Sequence, residues 1–282
     1  MAQDADQFGP SFKTRLMGCP MDNVKNIYKV DEIVTRLRAA GCVFAEEEAD
    51  LLVDSAVPPS ELADMVGRRV AGLPLEQVLG WAAFCGLRIK VAPGVFVPRR
   101  RTEFLVEQAV AALHSGAVVV DLCCGSGAVG AALASMVEPI ELYAADIDPA
   151  SVQCARFNIP EEIGRVSEGD LYKALPPELA GRIDVLVANT PYVPTTAIPF
   201  LPREAREHEP PGALDGGLDG LDVQRRIAAE ARHWLARGGQ LLVETSLDQS
   251  PRTAEIFTRS GLVATVVHSD ELDATVVIGT LL

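Results

Sequence analysis

The stretch 185–194, VLVANTPYVP, joins the pattern of a buried strand to residues that could hold a substrate. Its apolar, β-branched start is typical of a buried parallel strand. Pro191 must end that strand, because proline cannot donate to a sheet ladder. An amide side chain therefore lies at the carboxyl end of the strand, where open α/β sheets place their ligands. These residues form the predicted catalytic group: Asn189, Thr190, Pro191 and Tyr192.

A glycine-rich turn at 121–130, DLCCGSGAVG, follows an earlier strand-like run. Gly125 and Gly127 would let the backbone turn tightly and approach a ligand, and the next helix would offer free N–H groups. The turn also fits the dinucleotide fingerprint G-x-G-x-x-G, with Asp146 about 20 residues on to hold a ribose. An NAD-binding oxidoreductase is therefore one interpretation, and a glycine-rich turn without a ligand is another.

Carboxylates after the early strands favour a different cofactor. Asp121 stands ahead of the glycines, where its charge would repel a pyrophosphate and attract a cation. Asp146 and Asp170 follow the next two strands and could bind ribose hydroxyls and an adenine amino group. This set favours S-adenosylmethionine over NAD. Asp148, directly before Pro149, is predicted to cap a helix instead.

Strand-like and helical segments alternate over 83–282. Such alternation predicts βαβ units and a mostly parallel sheet, here preceded by a short β-hairpin at about 84–98. The final two strand-like runs, LVATVVHS and ATVVIGTLL, are separated by an acidic turn that is too short for a crossover helix. They are therefore predicted to pair antiparallel.

The N-terminal part of the chain has a different pattern. Helical periodicity interrupted by proline and glycine predicts a small helical bundle at 30–82, which we interpret as a substrate-docking domain. Residues 1–29 show neither clear periodicity nor strong caps, so they are predicted to be disordered, or to be a tag or upstream extension.

Composition limits the compartment and the partners. The net charge of −14 argues against broad nucleic-acid binding, and the triplet Arg99-Arg100-Arg101 is predicted to be a solvated loop. The sequence has no apolar run long enough to span a bilayer. Its six cysteines lack the spacing of a disulfide framework, which suits a reducing cytosol. A cytoplasmic protein without membrane contact is predicted.

No metal site is predicted. The four histidines are scattered without ligand spacing, and Cys123-Cys124 lacks a partner pair. The acids of ALDGGLDGLD, at 213–222, do not follow the EF-hand spacing.

The motifs DLCCGSG, AADIDP, GDLY and NTPY occur in the order of the amino-group methyltransferases with an N-P-P-Y signature. More specifically, the chain resembles the HemK/PrmC family of protein-(glutamine-N5) methyltransferases, which act on a glutamine amide of peptide release factors. The resemblance begins at about Asp31. It includes PLEQVLGWAAFCGLRIKVAPGVFVPRRRTE and EPPGALDGGLDGLD, which a generic methyltransferase fold does not need.

The resemblance implies a helical N-terminal domain and a seven-stranded, Rossmann-like, S-adenosylmethionine-dependent methyltransferase domain. It also implies a protein substrate and an amide-holding role for Asn189. The predicted cofactor-binding residues, with Asp121 added from its strand-end position, are Asp121, Cys123, Cys124, Gly125, Ser126, Gly127, Asp146, Asp170, Leu171 and Asn189.

Three residues depart from the family pattern. Cys123 replaces the first glycine of the turn, Thr190 replaces the first proline of the signature, and Arg101 stands where an acid is common. A divergent branch with another protein substrate is therefore one alternative. The others are an N-methyltransferase for an exocyclic amine of an RNA or DNA base, and a binding protein that has lost turnover.

Overall fold

A computed structural model describes the chain at residues 20–55 and 58–282. Its contacts divide the chain into two compact units, with the division between Val70 and Ala71. Most of the segment predicted to be disordered, 1–19, lies outside the described residues. No helix in the described ranges is long and apolar enough to cross a membrane.

The first unit is helical. Its helices are α1 (Pro20–Ala39), α2 (Ala45–Asp54) and α3 (Pro59–Val70). Helix α1 begins at Pro20, inside the segment 1–29. Proline is common at the first position of a helix, because its fixed φ is close to the helical value. Leu37, Ala49 and Leu52 are fully buried, so the apolar spacing that predicted a bundle is the spacing of its core.

The second unit opens with a short helix and a hairpin, α4 (Leu75–Leu79), β1 (Trp81–Phe84) and β2 (Leu87–Lys90). The hairpin lies earlier than the predicted 84–98. Its turn residues Cys85 and Gly86 both have positive φ, which fits a two-residue hairpin turn without its usual Asn-Gly sequence. Gln77 Nε2 in α4 donates to Val95 O at 3.3 Å, so α4 packs within the second unit. The helical domain was predicted to reach residue 82, whereas the division between the units follows Val70.

The main sheet has seven strands. They are β3 (Val118–Leu122), β4 (Glu141–Asp146), β5 (Gly164–Glu168), β6 (Ile183–Ala188), β7 (Leu235–Thr245), β8 (Val263–Ser269) and β9 (Ala274–Thr280). Their spatial order is β5-β4-β3-β6-β7-β9-β8. Strand β9 runs antiparallel to both of its neighbours, β7 and β8, and the other pairs are parallel. This confirms the predicted seven-stranded, mostly parallel sheet and its antiparallel C-terminal pair.

Helices cover both faces of this sheet. They are α5 (Glu103–Val110), α6 (Ala128–Met136), α7 (Pro149–Asn158), α10 (Asp222–Trp234) and α11 (Ser250–Arg259). A 3-10 turn at Arg100–Thr102 precedes α5, and two short helices, α8 (Arg203–His208) and α9 (Pro211–Leu214), lie between β6 and α10 in the chain. Helices α5, α6 and α7 contribute to one core cluster, and α10 and α11 contribute to the other.

The strand order reverses at the centre of the sheet. The chain proceeds outward from β3 through β4 to β5, and then returns to place β6 on the other side of β3. The carboxyl ends of β3 and β6 therefore border the crevice in which open α/β sheets bind ligands.

Candidate active site

A cavity of about 630 Å³ opens at the carboxyl ends of the central strands. This volume lies within the range of about 300–1,000 Å³ found for small-molecule sites. Every predicted site residue lines the cavity except Gly127. At Gly127 an added Cβ would lie only 3.0 Å from Ile159 Cδ1 and 3.1 Å from Ala155 Cβ, so this glycine permits close packing of α6 on α7.

Asp121 is a buried carboxylate at the end of β3. It is 1 % exposed, and its Oδ2 accepts the N–H of Gly130 in α6 at 2.9 Å. Burial raises the pKa of Asp121 to about 7; the charge of Asp146 adds to the rise and the Gly130 hydrogen bond opposes it. A cationic ligand would reverse this shift, because an opposite charge favours the ionised form.

The turn after β3 is held in left-handed conformations. Cys123, Gly125 and Gly127 have φ of 57°, 54° and 77°, so a residue with a side chain occupies a conformation that favours glycine. Burial raises the pKa of the Cys123 thiol, so it stays protonated. No atom lies within 4 Å of a Cβ built on Gly125, which leaves room for a ligand against the turn.

Asp146 joins this turn to the end of β4. Its Oδ2 accepts the N–H of Gly125 at 2.8 Å, and its Oδ1 accepts the N–H of Asp148 at 2.9 Å. Asp148 itself accepts from Ala150 N and Ser151 N at the start of α7, which confirms its predicted role as a helix cap.

Asp170 has a partner that the sequence did not reveal. Arg226 Nη2 in α10 donates to both of its carboxylate oxygens, at 2.6 and 2.7 Å. This hydrogen bonding is the main cause that lowers the pKa of Asp170. Only the amphipathic pattern of α10 could have been read from the sequence, and it gives no indication of a partner on a distant loop.

Asn189 stands directly after β6, as predicted, and its amide is oriented by a neighbour. Its Nδ2 donates to Thr102 Oγ1 at 3.3 Å, so Oδ1, on the other branch of the amide, points away from Thr102. The register pairs Ala188 with Val243, which places Asn189 beside Glu244. Glu244 was not predicted as a site residue.

Glu244 collects several contacts at the cavity wall. It is 2 % exposed, and its Oε2 has no hydrogen-bond partner. Its Oε1 accepts from the Tyr192 hydroxyl at 3.4 Å and lies 3.5 Å from Arg101 Nε. Burial raises its pKa, while Thr102, Arg101 and Tyr192 lower it. The signal for this residue was an acid at the end of a buried strand, the same signal that identified Asp121.

The arginine triplet was predicted to be a solvated loop, and Arg100 and Arg101 are exposed, but two of its three guanidinium groups pair with buried acids. Arg99 Nη2 donates at 2.5 Å to Oε1 of Glu209, whose side chain is fully buried. Arg101 pairs with Glu244, and only Arg100 does not line the cavity. The sequence did not indicate these two ion pairs, because both acids lie far away in sequence.

Thr190 is 2 % exposed, and its Oγ1 is buried without a hydrogen-bond partner. In the described part of the chain, no group of three or more His, Cys, Asp or Glu side chains could hold a metal ion.

The amino-acid sequence is similar to those of known methyltransferases. The family model Methyltransferase small domain matches residues 86–199. A release factor glutamine methyltransferase of Geobacter sulfurreducens is 38% identical over 213 residues, which are 74% of this chain and 74% of that protein. A release factor glutamine methyltransferase of Mycolicibacterium smegmatis is 37% identical over 261 residues, 86% of this chain and 92% of that protein.

Two further similarities widen the comparison. A 4-amino-L-phenylalanine/4-methylamino-L-phenylalanine methyltransferase of Streptomyces pristinaespiralis is 36% identical over 235 residues, 80% of each chain. The crystal structure of a methyltransferase from Pyrococcus furiosus matches with a TM-score of 0.53 at 17% identity, and covers 77% of this chain and 98% of that chain. At this identity the match concerns the fold alone.

Proposed function

The chain belongs to the release factor glutamine methyltransferase family, whose cofactor is S-adenosylmethionine, and on that premise we propose that it methylates the side-chain amide of a glutamine in a peptide chain release factor. One observation carries the proposal. Asn189 lines the same cavity as Asp121 and Asp146, and its Nδ2 is engaged with Thr102. Its oxygen is thereby directed towards an incoming N–H donor.

The cavity supplies a suitable set of groups for the cofactor. Asp121 would hold the cationic amino group, and the open space at Gly125 would take the adjoining part of the cofactor. Asp146 accepts the backbone N–H groups of Gly125 and Asp148, and the N–H of Ile147 also acts on it. A carboxylate has about four acceptor positions, so Asp146 keeps capacity to accept from a ribose hydroxyl. Asp170 and Leu171 would hold the adenine, and Asn189 would contact the methyl-donating end of the cofactor.

An amide nitrogen is a weak nucleophile, because its lone pair is delocalised into the carbonyl. When bound, S-adenosylmethionine supplies an electrophilic methyl group on a sulfonium centre. The Asn189 Oδ1 and the Thr190 backbone oxygen accept the two N–H groups of the target amide, which turns its nitrogen towards that methyl. Tyr192 packs on the amide face and excludes water. Such positioning can supply up to about 7–11 kcal/mol of a barrier.

The same two oxygens stabilise the positive charge that grows on nitrogen as the N–C bond forms. The methylated amide loses one N–H proton to bulk water as the product leaves the site, because an N-protonated amide is a strong acid. The chain therefore has to orient the amide and needs no base of its own at that step.

The helical unit is the proposed docking surface for the release factor. Val43 and Phe44, between α1 and α2, are 83% and 65% exposed. Large apolar side chains on a surface are a common feature of protein contact sites.

The Streptomyces pristinaespiralis relative favours a second candidate, methylation of an aromatic amine on a small amino acid. An Asn oxygen and a backbone carbonyl can hold an exocyclic amine as they hold an amide. An RNA or DNA base offers the same group, although the net charge of −14 opposes broad binding to nucleic acid.

The test uses S-adenosylmethionine with a labelled methyl group. The purified protein is incubated separately with class-I release factors, 4-amino-L-phenylalanine, and RNA or DNA, and mass spectrometry locates the label. Label on a release-factor glutamine supports the proposal. Label only on the aromatic amine or on a base replaces it with that alternative.

A further inference from the structure

The Asn189 side-chain amide has an oxygen that accepts hydrogen bonds and an NH₂ group that donates them, and only the oxygen suits the substrate amide. An N–H donor needs the oxygen, whereas a flipped amide would present two N–H donors of its own. If the proposed function holds, something in the site must fix this orientation. The groups on the far side of Asn189 are placed to do so.

Thr102 is the immediate partner. It is 2 % exposed and precedes α5, and its Oγ1 lies 3.3 Å from Asn189 Nδ2. A hydroxyl has one O–H donor and two acceptor positions. The direction of the hydrogen bond between Thr102 and Asn189 therefore depends on where the hydroxyl proton of Thr102 points.

Glu244 offers an acceptor for that proton. Side chains alternate between the faces of a strand, so Asn189 shares a face with Val187 and Glu244 shares a face with Leu242. Val187 and Leu242 belong to one core cluster, the cluster that includes α5. Oε2 of Glu244 is buried and has no hydrogen-bond partner. The hydroxyl of Thr102 is near enough to lower the pKa of Glu244, so Thr102 is placed to donate to this oxygen. Thr102 therefore lies between Glu244, at the end of β7, and Asn189, at the end of β6.

We propose that Glu244 and Thr102 are positioning residues that fix which atom of the Asn189 amide faces the substrate. The ionised Glu244 carboxylate can only accept, so Thr102 donates its O–H to Glu244. Thr102 Oγ1 then accepts from Asn189 Nδ2, and Asn189 Oδ1 is presented to the substrate amide.

Protonation of Glu244 would reverse the direction of these two hydrogen bonds. A protonated carboxyl can donate to Thr102, whose hydroxyl can then donate to Asn189 Oδ1 and turn Nδ2 towards the substrate. The groups that face Glu244 are Thr102, Arg101 and Tyr192. Burial raises the pKa of Tyr192 to about 12, so its hydroxyl remains a donor. We therefore expect turnover to fall as the pH decreases through the pKa of Glu244, which burial raises.

The test compares Thr102→Val, which removes only the hydroxyl, with Thr102→Ser, which keeps it. Single-turnover methylation is measured in the wild-type and Asn189→Ala backgrounds, with S-adenosylmethionine affinity as the folding control. Thr102→Val should lower the rate about 10- to 100-fold, the effect of a hydrogen bond to a charged network. Thr102→Ser should stay within about threefold of wild type.

The double variant separates positioning from general packing. If Thr102 acts through Asn189, Thr102→Val should add no further loss in the Asn189→Ala background, because coupled residues are not additive. The same loss in both backgrounds would overturn the proposal.

A second readout does not depend on the substrate. The Asn189 side-chain amide signals in a ¹⁵N NMR spectrum are those missing from Asn189→Ala. They should move, and exchange their protons about tenfold faster, in Thr102→Val but not in Thr102→Ser. Unchanged signals in Thr102→Val would refute the positioning role. Shifted signals in a protein that methylates no glutamine would support that role and reject the proposed function.

Discussion

Arg101 Nε lies 3.5 Å from Oε1 of Glu244, and this pair joins a half-exposed cation to an acid whose side chain is 3% exposed. The family commonly has an acid at the position of Arg101, and an acid there would repel the buried carboxylate. In this chain the guanidinium instead lowers the pKa of Glu244, against the rise that burial causes. The departure at residue 101 therefore changes the charge balance of the active-site wall.

Replacing Arg101 should move the acid limb of the pH profile. Without the guanidinium, the pKa of Glu244 rises further, because burial is no longer opposed by that charge. In Arg101→Ala, turnover should begin to fall at a higher pH than in wild type, and Arg101→Lys should lie between the two. The measurement is single-turnover rate against pH with saturating cofactor. An acid limb at the same pH in all three proteins would contradict the account.

The affinity for S-adenosylmethionine should increase with pH through about pH 7. Asp121 has a pKa of about 7 without ligand, and only its ionised form attracts the cationic amino group. The measurement is the affinity for S-adenosylmethionine by calorimetric titration between about pH 5.5 and 7. In this range the α-amino group of the cofactor stays protonated, because such groups lose their proton near pH 8. Asp121→Asn should bind at least about tenfold more weakly at pH 7, with a flattened pH dependence. Equal slopes in both proteins would remove Asp121 from the cofactor site.

Cys123→Gly should stabilise the protein relative to Cys123→Ser. Both variants remove the thiol, but serine keeps a Cβ at a φ of 57°. The left-handed conformation destabilises the folded state by about 1–2 kcal/mol when the residue has a side chain. Glycine avoids this strain, but it loses more backbone entropy on folding, which costs about 0.5–1 kcal/mol. We expect the glycine variant to be about 1 kcal/mol more stable by urea unfolding. A glycine variant no more stable than the serine variant would show that the turn is not strained at this residue.

Phe44→Ser should weaken release-factor recognition and leave the chemistry intact. The side chain is 65% exposed, so its loss should change the free energy of unfolding by no more than about 0.5 kcal/mol. We expect a several-fold rise in KM for the release factor with an unchanged affinity for S-adenosylmethionine. Val263→Ser, at a 52% exposed site on β8, is the matched control. A KM change of the same size in both variants would exclude a specific docking role for Phe44.

The sequence was most informative at the ends of strands. Asn189 and Asp121 could be predicted because a buried apolar run ending in a polar residue marks the carboxyl edge of a parallel sheet. The same reasoning could have found Glu244, which ends the run LLVE.

Other features depend on distant partners. Thr102 looks like an ordinary residue near a helix start, and only the fold brings it to Asn189. The bond from Arg99 to Glu209 likewise joins segments that are 110 residues apart. Strand β5 has no continuous apolar run by which it could be predicted. Its residues are intermediate or exposed, because an edge strand needs no continuous apolar pattern.

The role of Asn189 is the central claim, and the Asn189→Ala variant tests it most directly. The measurement is the single-turnover rate of glutamine methylation, with S-adenosylmethionine affinity determined on the same samples. The account predicts a rate at least about 100-fold lower, since the variant loses a hydrogen bond that strengthens as charge develops on nitrogen, with cofactor affinity within about threefold. A rate within about threefold of wild type would contradict the proposed mechanism.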